Sequence, residues 1–395
     1  MSYAVFSFDL GWGEDTGTFL FSDYLKLTEA SPGEFGSLVP GVLIPLVIVW
    51  FVTLGVLFRG IKKGIEIANK IFIPTLLIMF LIIVVRALTL DGAMTGLDAF
   101  FKPDWGSLTD ETVWVAAYGQ IFFSLSIAFA IMITYSSYLP KKSDITNNAF
   151  ITGFSNSGVE LLAGIGVFAA LGFMASAQGL SVDEVVDGGV GLAFVVFPQI
   201  INEMPIFNEL FGFLFFACLV LAGLSSLISI VETFVAGVQE KFKVSRTFSV
   251  FVGGGFAAII SILFATQGGL YFLDVADYFI NNFGIAFAGL IEVIAIAWIA
   301  RELKNFQGYA NEVSDIKLGA WWRICLGIIT PIVLGYMFIK NLYSNITEPY
   351  GGGDYSTEFL IYSGWSVAIG AILIGVLFTL KKKKQDNSSS LNKGV

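Results

Sequence analysis

Histidine is absent from this 395-residue chain. Without imidazole there is no Ser-His-Asp arrangement, and most zinc sites are excluded with it. Cysteine is nearly absent too. Cys218 and Cys325 are the only two, and both fall inside long apolar runs, which argues against a disulfide framework. Charge is scarce: Asp, Glu, Lys and Arg make up 13% of the chain, against about 25% in soluble domains. No metal-ligand cluster and no nucleophile–base pairing is visible, so an enzyme is not expected. No repeating selectivity-filter pattern appears, which disfavours a channel. The net charge of −9 implies no nucleic-acid role.

What the chain has in abundance is apolar sequence: 56% hydrophobic residues and a mean hydropathy of +0.79. A membrane span needs roughly 20 apolar residues. Nine stretches qualify, near 42–58, 71–88, 113–139, 149–175, 208–239, 247–267, 271–300, 319–340 and 359–380. Outer-membrane strands would be about 10 residues long with alternating polarity. These runs are continuous instead, so helices that satisfy their own backbone are predicted. The reading is an all-α polytopic membrane protein. Residues 1–41 form an exterior segment, 42–380 a transmembrane domain and 381–395 a polar tail.

The Lys and Arg residues set the expected topology. All but Lys26, Arg86, Lys102 and Lys340 fall in alternate connections: Arg59 to Lys70, Lys141 and Lys142, Lys241 to Arg246, Arg301 to Arg323, and Lys381 onward. Basic loops stay cytoplasmic. The cell (inner or plasma) membrane is therefore expected, with the C-terminus inside. Nine spans then put the start of the chain outside. One reading is a natural exterior N-terminus. The other is a chain beginning within a longer ancestral sequence, with Tyr3 to Phe8 as the tail of a lost helix.

Three stretches carry polar groups at membrane depth, where they are costly and usually functional. Asn156 and Glu160 lie one helical turn apart. Ala222, Ser225 and Ser226 share a helix face. Their carbonyl and hydroxyl oxygens suit a hard monovalent cation, although small residues also serve close helix packing and serines bond back to the preceding turn. Gln120, Phe123, Ser124, Ser126 and Phe129 lie along the third span. No Gly or Pro falls between Ile121 and Met132, so the residues alone do not predict a break. Glu232 and Glu292 are further intramembrane carboxylates, open to a structural role or a direct part in transport.

In order along the chain, Arg59 to Glu66, Gly-Gln-Ile-Phe-Phe-Ser-Leu-Ser (119–126), Thr134 to Tyr138, Asn156 with Glu160, Ala-Gly-Leu-Ser-Ser (222–226) and Leu273 to Asp277 resemble the neurotransmitter:sodium symporter family. The likeness runs from about Leu10 to Lys384. It implies a LeuT-type fold, with nine of the family's twelve helices present, the fourth to the twelfth. Such folds place substrate and ions at the midplane between inverted repeats.

The resemblance also implies roles. Ser124 and Asn156 belong to one sodium site, and Ala222, Ser225 and Ser226 to a second. Phe123, Ser124, Ser126, Phe129, Ser226 and Ile230 line the substrate pocket, with the third span unwound. Asp277 is the acidic half of an outer gate, and Tyr138 and Glu240 are inner-gate elements. Glu160, with Gln120 nearby, stands where a carboxylate replaces chloride, so Na⁺ is the coupling ion and chloride is not required. The implied activity is sodium-coupled symport of a small amino acid by alternating access. The implied partners are sodium, the amino acid and the bilayer. The family's first three helices supply the other half of both sites, so the chain reads as an N-terminal truncation, with those helices expected on longer or separate polypeptide. A non-transporting scaffold or partner subunit is the alternative.

Overall fold

The structure is a computed structural model that describes residues 1–185 and 188–380. The polar tail 381–395, expected in the cytoplasm, lies outside the described residues. Among the described residues, eight helices are long and apolar enough to cross a membrane, and a ninth stretch is divided. In chain order the elements are α1 (Pro40–Phe58), α2 (Ile61–Leu88), α3 (Glu111–Ser124), α4 (Ile131–Ser136), α5 (Ile145–Gln178) and α6 (Asn208–Phe242). They continue as α7 (Arg246–Ala265), α8 (Gly269–Ile299), α9 (Leu303–Val313), α10 (Ala320–Thr347) and α11 (Thr357–Leu380). The chain is thus a multi-pass membrane protein.

Local chemistry sets the ends of these helices. Pro40 opens α1, where a missing N–H is harmless. Gly60, at φ +80°, turns the chain between α1 and α2. The helix therefore begins at Ile61, ten residues before the apolar run at 71, and carries Lys62 and Lys63 in its first turns. Asp110 caps α3 through the Thr112 N–H, and Asp144 caps α5 through the Asn147 N–H, at 2.8 and 3.0 Å.

The stretch 113–139, read from its residues as one span, is two helices. Ser126, Ala128 and Ala130 all have positive φ, of 50°, 66° and 57°. For non-glycine residues this conformation is unfavourable by about 1–2 kcal/mol each. The helix stops at Ser124 and resumes at Ile131.

At the acidic end of the bundle, residues 1–41 fold onto α5, α6 and the helix Gly189–Glu203. Tyr3, Trp12 and Leu20 join Ala169, Phe197, Ile201 and Phe216 in one buried cluster. The Trp12 indole donates to Asn202 Oδ1 at 2.9 Å, and Asn202 Nδ2 donates to the Gly13 carbonyl at 2.7 Å. The segment 182–209 contains Val182–Val185 and Gly189–Glu203. Val186 and Asp187 lie outside the described residues. At the opposite, basic end Trp50, Leu57, Ile65, Ile228, Val231, Val235 and Val250 join α1, α2, α6 and α7. The aromatic residues Phe272, Phe279, Phe283 and Phe359 join α8 to α11.

Candidate functional site

The break between α3 and α4 is the centre of the polar architecture. α3 runs antiparallel to α5, and two contacts one turn apart bridge them. Asn156 Nδ2 donates to Ser124 Oγ, and Gln120 Nε2 donates to Glu160 Oε1 at 3.2 Å. The constant sum of residue numbers, 124 with 156 and 120 with 160, is the register of that pairing. Four residues proposed for the sodium and carboxylate sites therefore meet in the fold.

Below the break, α4 is held to α6. Tyr135 OH donates to Ser229 Oγ at 2.7 Å, and Tyr138 OH to Glu232 Oε1 at 2.7 Å. A ladder of hydroxyls runs along α6: Ser225 Oγ donates to the Ala222 carbonyl at 2.8 Å, Ser229 Oγ to the Ser225 carbonyl and Thr233 Oγ1 to the Ser229 carbonyl. Ala222 and Ser225 are thus together, with the Ser225 oxygen free to offer lone pairs. Ser226 points elsewhere, onto an exposed stripe of α6 shared with Gly223, Ile230, Phe234 and Gly237.

Glu232 is completely buried and fully provided for. Its two oxygens accept Arg246 Nη1 and Nη2 at 2.9 and 2.7 Å, and Arg246 Nε donates to the Leu57 carbonyl at 3.0 Å. This joins α1, α4, α6 and α7 at the basic end. In sequence Arg246 is merely a loop charge. The one available signal was an intramembrane carboxylate 14 residues upstream that needed a cation. Ser229 carried no signal, and Tyr135 only that of its place in the stretch Thr134 to Tyr138.

Two cavities flank the break. One, of about 700 Å³, opens between α4 and the basic-end half of α6 and is lined by Thr134, Ser137, Tyr138, Thr233, Gln239 and Glu240. The two residues proposed for the inner gate share it, although Tyr138 makes its hydrogen bond to Glu232. The other, of about 520 Å³, lies between the broken helix and α8 and α10. Ser126 lines this second cavity beside Glu292, so the structure separates it from Ser226 and Ile230, with which the family pattern groups it. Neither cavity is lined by Ser124, Asn156 or Ser226. Phe123 is exposed and Phe129 half-buried.

At the acidic end Asp277 is exposed, accepts from Asn281 Nδ2 at 3.0 Å, and forms no ion pair among the described residues. Its neighbour Asp274 accepts from Tyr350 and Tyr355 at 3.0 and 2.8 Å. Burial, followed by the Asp274 charge, pushes the Tyr350 phenol up to about 12. Asn345 Nδ2 donates to Tyr278 OH and to the Asn341 carbonyl, at 2.8 and 2.9 Å.

A broken membrane helix with polar side chains gathered at the break is the architecture of ion-coupled transporters. The family model for "Sodium:neurotransmitter symporter family" matches residues 16–384. The chain belongs to that family. An uncharacterised sodium-dependent transporter of Methanocaldococcus jannaschii is 37% identical over 382 residues, covering 97% of this chain and 77% of the relative. The sodium- and chloride-dependent neutral and basic amino acid transporter B(0+) of Homo sapiens is 30% identical over 357 residues, covering 86% and 53%. The sodium- and chloride-dependent glycine transporter 2 of Xenopus laevis is 29% identical over 345 residues, covering 85% and 43%. The chain thus spans about half the length of the last two. These relatives are sodium-dependent transporters and not enzymes.

Proposed function

We propose that this chain carries out, or takes part in, sodium-coupled symport of a small amino acid by alternating access. In this reading the fold is LeuT-type, and the spanning stretches correspond to the family's fourth to twelfth helices. The basic end faces the cytoplasm and the cell membrane is the host. One observation carries the reading: the third span breaks at Leu125 to Ala130 with no Gly or Pro to force it, beside the Ser124–Asn156 pair. Irregular backbone at membrane depth is tolerated only where it lines a cavity or a site.

Ser124 and Asn156 would give oxygens to one sodium ion, and the Ala222 carbonyl with Ser225 and Ser226 to another. Phe123, Ser124, Ser126, Phe129, Ser226 and Ile230 would contact substrate. Asp277 would close the outer side, and Tyr138 with Glu240 the inner. A hard cation takes about six oxygens, and neither set supplies that many. The exposed stripe of α6 through Ser226 and Ile230 supports completion by further membrane helices matching the family's first three, on this polypeptide or another. Glu160, held by Gln120, would supply the fixed negative charge that makes chloride unnecessary.

The experiment is sodium-dependent amino-acid binding by the chain co-expressed with a three-helix segment from the archaeal relative. Ser226→Ala and Asn156→Ala should each weaken sodium affinity at least tenfold, about 1.4 kcal/mol. Sodium affinity unchanged in both variants would end the site assignment. In the same system Glu160→Ser should make binding depend on chloride, and chloride-indifferent binding by that variant would refute the carboxylate's role.

A further inference from the structure

The outer half of α8, Gly269–Phe279, and the turn of helix below it present Asp274, Tyr278 and Asn282 at a spacing of four residues. Residues so spaced share a helix face. Each is met by a partner from α10 or from the turn 348–356 that follows it. Asn341 Nδ2 donates to Asn282 Oδ1 at 3.0 Å, and Asn345 Nδ2 to Tyr278 OH at 2.8 Å. Tyr350 OH and Tyr355 OH donate to the two oxygens of Asp274 at 3.0 and 2.8 Å. The Tyr350 ring also stacks on the Tyr278 ring, with centroids 3.9 Å apart. This seam is strongest at its outer end, where both donors meet a carboxylate, since hydrogen bonds to a charged acceptor are about twice as strong as neutral ones. Further in, Asn345 Oδ1 is buried without a donor.

The turn 348–356 is built to hinge. Gly351, Gly352 and Gly353 lie between the two tyrosines with φ of 84°, 60° and 108°, a conformation open to glycine. A Cβ on Gly351 would stand 2.5 Å from the Tyr355 ring, so the turn folds directly over that ring. α8 has a weak point of its own just below Tyr278. Over Ile280–Ile285 the helix is widened, and the Ala286 N–H bonds to the Asn281 carbonyl five residues back. Single π-turns of this kind recur at functional sites. Beyond it α8 leans on a different neighbour, the broken helix: a Cβ on Gly289 would lie 3.0 Å from Ala128 and 3.2 Å from Phe122. The two halves of α8 are thus held by different partners across a widened turn.

We propose that the turn 348–356 is a latch. Closed on Asp274, as in this structure, it fixes the outer half of α8 to α10; released, it lets that half move about Ile280–Ile285. Every part of the latch lies on α8, on α10 and on the turn itself, so it needs no further helix. Asp277 is exposed three residues beyond Asp274 and rides on the same half. The latch therefore sets where that carboxylate stands. The meaning of that position for closing the outer side rests on the proposed function, whereas the latch does not.

Amide hydrogen exchange read by mass spectrometry tests it. The full 395-residue chain is placed in nanodiscs without sodium or amino acid, so the outcome is independent of the symport reading. Tyr350→Phe combined with Tyr355→Phe keeps the rings and removes both hydroxyls. It should speed exchange of amides 274–285 about tenfold and leave 286–299 unchanged. Gly351→Ala, which pushes the Tyr355 ring away without deleting a hydrogen-bonding group, should act on the same amides. Asp274→Asn, which keeps an acceptor oxygen and loses the charge, should give a smaller increase there. The proposal is overturned if the double variant leaves 274–285 unchanged, or if exchange rises equally from 269 to 299, which would make the tyrosines general supports of the helix. Should the double variant not fold, Gly351→Ala and Asp274→Asn decide by the same two readings.

Discussion

The link between Glu232 and Arg246 offers the sharpest test of how the basic end is held together. Glu232 has no exposure, while the Arg246 side chain retains 22%. Replacing Arg246 with Met strips the carboxylate of both guanidinium contacts and leaves it the Tyr138 hydroxyl alone. Breaking a buried pair from one side is unfavourable by about 3–5 kcal/mol, because the surviving charge is stranded. Glu232→Leu should cost less, about 2–3 kcal/mol, since the partly exposed guanidinium can still reach water and keeps the Leu57 carbonyl. The double variant removes both charges. It leaves only the Tyr138 hydroxyl and the Leu57 carbonyl without their partners, about 1 kcal/mol each. It should therefore be less destabilised than Arg246→Met alone, with a coupling of about 2 kcal/mol or more. Reversible unfolding in mixed micelles of SDS and a mild detergent reads all four corners of the cycle. A coupling below about 0.5 kcal/mol, the value of an exposed surface pair, would refute the reasoning. So would a double variant no more stable than Arg246→Met.

Two further outcomes are expected. Ala128→Gly should raise stability in the same unfolding assay by about 0.5–1 kcal/mol, since glycine adopts the φ of 66° without strain and the gain exceeds its unfolded-state entropy; destabilisation would mean that the alanine methyl's packing outweighs the backbone strain. The Tyr350 phenol is held protonated up to about 12 by burial and by Asp274, so its contribution is complete below the ordinary tyrosine value near 10 and is lost as pH rises through about 12. An ultraviolet phenolate titration of the native chain against Tyr350→Phe checks this, and a Tyr350 step at the ordinary value would contradict it.

The sequence by itself determined that this is a bundle of membrane helices, because lipid cannot hydrogen-bond a backbone and runs such as 208–239 have no other way to satisfy theirs. It also singled out Asn156, Glu160 and Gln120, because polar atoms in an apolar run are few and their spacing along one face is visible without coordinates. It did not reveal the break at Ser126, Ala128 and Ala130. No Gly or Pro marks those positions, and their backbone is held off the helix by contacts that local propensity does not describe. The partners of long-range polar groups were equally hidden. Arg246 reaches Glu232 only because α7 turns back against α6, and Ser126 and Glu292 line one cavity only because α8 packs behind the broken helix. Period and polarity are properties of neighbours in the chain, whereas which charge is answered and which cavity is left depends on how separate helices are brought side by side, and that the tertiary structure alone decided.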